Sequence, residues 1–199
     1  MQEETSTQEL KERLDLIERM IREGRRSTEN WGWAFVLWGI AFYVALAWAN
    51  WEPSGAAWPI TMVCTLLLTL MIGVSKGKGH PGSSMGRAIT CVWMASGVAM
   101  LIVFPALSAT GRIDQHGFVA VVAAILGLAN AASGMILRWK TQLACALVWW
   151  AASVAACFGS ARELLGLFLA AVFVCQIVFG IYVMICESQR GARSGVAHA

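Results

Sequence analysis

The stretch QHGFVAVVAAILGLANAASGMIL, residues 115–137, contains no Asp, Glu, Lys or Arg in 23 positions. At a rise of about 1.5 Å per residue, a helix of that length crosses a hydrocarbon core of about 30 Å. Five more stretches share the character: 31–51, 58–75, 88–111, 141–161 and 164–186. Almost every charge lies in the gaps between them. The chain therefore reads as all-α and polytopic, a six-transmembrane-helix bundle of three hairpins. The expected spans are about 31–51, 58–75, 88–107, 116–137, 141–159 and 164–186.

The totals agree with lipid as the solvent. Of the 199 residues 58% are hydrophobic, and the mean hydropathy is +0.62. A soluble fold of this size cannot hide so much apolar surface, and six spans leave no room for a folded extramembrane domain. The placement of charge sets the orientation. With a cytoplasmic N-terminus, thirteen of the fifteen Lys and Arg residues face the cytoplasm, and only Arg112 and Arg162 lie outside. That asymmetry predicts both ends inside, in a bacterial inner (plasma) membrane, with 188–199 a short cytoplasmic tail. The first apolar run starts at Trp31, so no cleavable signal peptide is expected.

Residues 1–30 read as a cytoplasmic, juxtamembrane amphipathic helix. Ser6 with Glu9 fits a capping box. Leu10, Leu14, Ile17 and Ile21 follow heptad spacing, and Glu9–Arg13, Asp15–Arg19 and Glu18–Arg22 place an acid four residues before a base. The seam is short for a coiled coil, so the helix is expected on the membrane surface, with Arg22, Arg25 and Arg26 near anionic headgroups. Contact between such helices of neighbouring subunits is the alternative. Gly24 is expected to bend the chain, and Thr28 or Asn30 to cap the first span. Pro53, Pro59, Pro81 and Pro105 are all expected in loops or at span ends.

The best-marked helix face is Gly127, Asn130, Ala131, Ser133 and Gly134. Its small residues permit close helix approach, and Asn130 can bond across the contact. Thr61, Thr65, Thr69 and Gly73 form a similar stripe at four-residue steps. The even spans repeat one device, a polar residue four before a glycine: Thr69 and Gly73, Asn130 and Gly134, Gln176 and Gly180. A faint likeness between 92–99 and 148–155 adds to the impression of three similar hairpins. Two readings follow. In one the stripes pack helices and their polar groups act as interhelical glue. In the other, Thr69, Asn130, Ser133 and Gln176 converge on a cavity for a solute or water.

Of the ten tryptophans, Trp31, Trp33 and Trp139 fall near the cytoplasmic boundary and Trp48, Trp51 and Trp58 near the external one, as interfacial anchors do. Trp38, Trp93, Trp149 and Trp150 lie deeper, where each indole N–H needs a partner. The six cysteines have no metal-ligand spacing and read as packing residues. Asp114 and His116, with Glu52 and Glu163 on the same side, read as a solvated loop rather than a metal site. No ionisable residue lies in mid-span, no histidine is placed to hold haem, and no catalytic motif occurs. The expectation is no enzyme, no cofactor, no metal and no nucleic-acid partner.

Six short spans and the endings Gly134-Met135-Ile136-Leu137 and Gly180-Ile181-Tyr182-Val183 give the region 31–186 an architecture that resembles the HdeD-like acid-resistance membrane proteins of bacteria, and uncharacterised bacterial inner-membrane proteins. The charged N-terminal helix and the Trp richness depart from that pattern. The resemblance implies an envelope or stress-related role and transfers no functional residue. The expected function is a non-enzymatic scaffold, regulatory or envelope-stress component, homo-oligomeric or bound to a membrane partner. The alternative is a small channel or carrier with a polar cavity around Asn130 and Gln176.

Overall fold

A backbone that crosses lipid must satisfy its own N–H and C=O groups, and the apolar stretches do so as helices. The computed structural model describes residues 2–52, 56–77, 84–112 and 114–196, and no strand occurs among them. In chain order the helices are α1 (Gln2–Glu29), α2 (Gly32–Trp51), α3 (Ala57–Gly77), α4 (Ser84–Ala109), α5 (Gln115–Ile136) and α6 (Lys140–Ala156). There follow α7 (Ala161–Val172), a π-helical segment (Phe173–Val178) and α8 (Phe179–Val196), which run on without a break. Pro53, Gly55 and most of the expected 76–87 loop, including His80 and Pro81, lie outside the described residues.

Five helices are long and apolar enough to cross a membrane: Gly32–Trp51, Ala57–Ser75, Met85–Leu107, Gln115–Ile136 and Arg162–Gln189. The chain is on that ground a multi-pass helical membrane protein. The fifth apolar stretch gives a shorter element than expected, because α6 has 17 residues and stops at Ala156. The cause lies in the next helix. Ser160 and Glu163 form a capping box at the start of α7, with the Ser160 N–H donating to Glu163 Oε2 at 2.8 Å. Residues 157–159 are thereby committed to the turn, and the Gly159 N–H closes it on Ala155 O at 3.0 Å.

Other local expectations change too. Helix α1 begins at Gln2, so Ser6 lies inside it and is no cap. It also passes through Gly24 without a bend. A Cβ there would stand 2.6 Å from Met85 Cγ and 2.8 Å from Leu137 Cδ2, so this glycine permits contact with two other elements. Thr28 turns its hydroxyl back to Gly24 O at 3.1 Å, and α2 starts after Trp31 with no side-chain cap. Pro105 is inside α4 rather than at its end. Finally, α8 continues past Cys186 to Val196 where a tail was expected.

Helices α5 and α6 form the closest pair, joined by a hairpin at 137–139. There the Trp139 N–H reaches back to Gly134 O at 2.8 Å and Arg138 adopts a left-handed φ of 50°. Helix α6 packs on α7, and α2 packs on α3 at one side and on the π-helical segment and α8 at the other. Helix α4 lies on α5 and on α1. Of the apolar windows of α3 and α4 only 17% and 11% are buried, against 56% for α5, so α3 and α4 form the outer, lipid-facing wall.

Aromatic side chains knit the interior in two chains of contacts. Toward the end that carries α1, Trp139 meets Phe179, Phe179 meets Phe35, and Phe35 meets Trp93, at centroid distances of 5.2–5.6 Å. Toward the other end, Trp149 meets Phe168, Phe168 meets Phe42, and Phe42 meets Trp58. Phe118 continues that chain from Trp58 to Phe104. Each such pair contributes about 0.5–1.5 kcal/mol beyond its buried area.

Candidate functional site

Between the two aromatic chains lies a layer of polar side chains, and glycine contacts fix its register. A Cβ on Gly134 would sit 3.0 Å from the backbone nitrogen of Leu143, so α5 and α6 meet there almost backbone to backbone. One on Gly127 would strike the Trp150 indole, and one on Gly180 would lie 2.9 Å from Gly32 O on α2. Gly73 receives the Trp31 ring, with Cη2 2.9 Å from the Cβ position. All four glycines expected at close contacts therefore stand at close contacts. Gly39 does the same for the π-helical segment, its Cβ position 3.0 Å from Gln176 Cβ.

These pairings bring Thr69, Ser133 and Gln176 to similar levels, with Asn130 about one turn deeper. Thr69 accepts the Trp38 indole N–H at 3.1 Å and donates to Thr65 O at 2.8 Å. Asn130 is fully buried, and its amide N–H bonds to Leu126 O of its own helix at 2.8 Å. Gln176 is 2% exposed and sits within the π-helical segment. Such segments within α-helices often mark functional positions. Its neighbour Cys175 directs its thiol to Cys145 O at 3.6 Å, tying the segment to α6.

Sequence reasoning missed Gln142. It is fully buried on α6, one residue from the Gly134–Leu143 contact and one turn from Cys145. The signal was present, since Gln142 is the one Asn or Gln in the stretch 141–161. Neither its Nε2 nor its Oε1 has a hydrogen-bond partner, and the same holds for Asn130 Oδ1, Ser133 Oγ, Thr61 Oγ1 and Trp149 Nε1. The layer carries no formal charge, so it has no electrostatic basis for holding a free ion and every basis for neutral hydrogen bonding.

The basic residues at the membrane surface separate into two kinds. Arg22 and Arg26 are exposed, with Arg22 paired loosely to Glu18 at 3.7 Å. Arg25 is instead partly buried and donates from Nε to Leu137 O at 2.8 Å and from Nη2 to Arg138 O. It thereby satisfies carbonyls that the end of α5 leaves without helical partners.

At the opposite end Asp114 caps α5, accepting the Gly117 N–H at 2.8 Å. That bond, more than the nearby His116, holds its carboxyl below the ordinary value of 3.8. His116 lies 3.2 Å from Gly159 O and so joins α5 to the 157–160 turn. Among the described residues no three His, Cys, Asp or Glu side chains are grouped to hold a metal. A groove of about 550 Å³ also opens here, lined by Ala155, Gly159, Leu164, Leu167 and Ala170, distant from the polar layer and mostly apolar. Compared with protein-family models, curated proteins and solved structures, the chain matches none.

Proposed function

We propose that the chain is a six-span inner-membrane protein, cytoplasmic at both ends, that acts as a non-enzymatic scaffold or regulatory component through helix contacts and self-associates. Helix α6, about 26 Å long, sits near the lower limit of about 17 residues for a span and crosses beside α5. An envelope-stress role rests on the architectural resemblance alone.

The observation that carries the reading is the division within α1. From Gly24 onward α1 is anchored on Met85 and Leu137, whereas Leu10, Leu14 and Ile17 are 59%, 54% and 50% exposed. Copies in one membrane share a direction, so these seams meet in parallel. In that register Arg13 of one copy faces Glu18 of the next, the favourable flanking charge pair of a parallel seam. Arg22 and Arg26 remain free to meet anionic headgroups.

A Leu14→Asp, Ile17→Asp variant is expected to lower the oligomeric state measured by light scattering in detergent. Arg13→Glu alone should weaken association, and adding Glu18→Arg should restore it. An unchanged oligomer in the double-Asp variant would remove the basis for this surface. A channel or carrier around Asn130 and Gln176 is the second reading, favoured by the unpaired atoms of the polar layer. The aromatic contacts at both of its ends oppose a continuous path.

A further inference from the structure

The six unpaired buried atoms are the feature that helix packing alone leaves unexplained. A buried polar group without a partner costs about 1–3 kcal/mol, and more when water cannot reach it. Four of these atoms belong to three side chains around one contact. Ser133 and Gln142 each stand one residue from the place where Gly134 meets Leu143. Asn130 lies one turn along from Ser133 on the same helix.

We infer that the Asn130–Ser133–Gln142 cluster is a binding site for ordered water, enclosed between the two aromatic chains. The chemistry of the donors and acceptors selects the ligand. Gln142 offers one free donor group and one free acceptor, Asn130 a free acceptor, and Ser133 a hydroxyl able to do either. Only a molecule that donates and accepts at once serves all of them. The absence of any charged side chain among the three excludes a bare cation or anion as the resident. Water fits, since an internal water makes about three hydrogen bonds and about two such molecules satisfy the four atoms. The site is distinct from a permeation path. Trp139, Phe179 and Phe35 close it toward the α1 end, and Trp149, Phe168 and Phe42 close it toward the other.

Cys145 and Cys175 flank the site and are 7% and 0% exposed, so they are native reporters. Brief X-ray exposure of the full chain in lipid nanodiscs generates hydroxyl radicals from bound water inside the protein as well as from solvent. Oxidation of each cysteine is then read by mass spectrometry. The expected result is oxidation of Cys145 and Cys175 several-fold above that of Cys64, which faces lipid on α3. Gln142→Leu and Ser133→Ala should each lower it while leaving Cys64 unchanged. Oxidation of the flanking pair no greater than that of Cys64 in the unaltered chain would overturn the assignment. So would a pattern unaffected by both substitutions. Where Gln142→Leu unfolds the bundle, which raises Cys64 oxidation, the smaller Ser133→Ala change decides.

Discussion

Arg25 joins the N-terminal helix to the α5–α6 hairpin through the carbonyls of Leu137 and Arg138. Hydrogen bonds from a charged donor contribute about 1.5–3 kcal/mol, and Arg25→Ala is expected to lower unfolding stability in detergent by about that amount. Arg22→Ala, which removes only an exposed pair, should change it by about 0–1 kcal/mol. Equal effects would mean that the carbonyl contacts are not formed in solution. Asp114 gives a prediction in pH. Its pKa is lowered in the folded chain by the Gly117 N–H, so its stabilisation is present above the unfolded value of 3.8 and is lost as pH falls through the lower folded value. Asp114→Asn should therefore flatten the loss of stability measured between roughly pH 5 and pH 2. Little of this was legible in the sequence. Arg25 stands in a basic run with Arg22 and Arg26, and nothing local distinguishes the one whose partner is 112 residues away. Asp114 was visible as a polar loop residue, but its capping role depends on where α5 begins.

At the scale of elements, glycine divides into contact and spacer positions. Gly134→Ala places a methyl group against the backbone of Leu143 and is expected to destabilise by about 1–3 kcal/mol in thermal or chemical unfolding. Gly97, on α4, has nothing within 4 Å of its Cβ position. Gly97→Ala is expected to be neutral or to stabilise by up to about 1 kcal/mol, because alanine restricts the unfolded chain and favours helix. Comparable losses for the two would mean that α5 and α6 do not approach closely. Gly127→Ala should fall between them, since the Trp150 ring that it meets is 40% exposed and has room to turn. Gly111 makes a poor comparison despite its open surroundings, because its φ of +62° suits glycine alone. The four-residue spacing of Thr69 and Gly73, Asn130 and Gly134, and Gln176 and Gly180 carried enough to locate three helix contacts. Gly24 could not be read the same way. A lone glycine in a charged helix looks like a break, and only Met85 and Leu137, distant in sequence, show it as a contact.

At the scale of the whole molecule, the proposed orientation yields a direct test. On a cysteine-free background, an impermeant thiol reagent applied to intact cells should label Arg112→Cys and spare Arg87→Cys. The reverse pattern would invert the topology, and labelling of both or neither would end the present assignment. The helical, multi-pass architecture was legible because lipid permits few backbone solutions, and runs of twenty apolar residues announce them. The boundaries were less so. Thr141 to Ala161 is free of charge, yet the capping box formed by Ser160 and Glu163 shortens α6, a decision made by local hydrogen bonds rather than hydropathy. The interior polar layer was half legible. Thr69, Asn130, Ser133 and Gln176 were found from their spacing, while Gln142, near a predicted span end, gave no sign that folding would bury it completely.

The π-helical segment between Val172 and Phe179 makes chain length itself a structural variable. Each residue of an α-helix advances the azimuth by about 100°, so removing one from this segment would rephase everything beyond it like a screw turned by a quarter. A deletion of Val174, whose side chain faces outward, would lose almost no contact of its own. It would nonetheless swing Phe179 and Val183 away from their neighbours and Gln176 out of the layer. Substitutions at position 174 carry no such penalty, so the helix there tolerates a change of letter far better than a change of count.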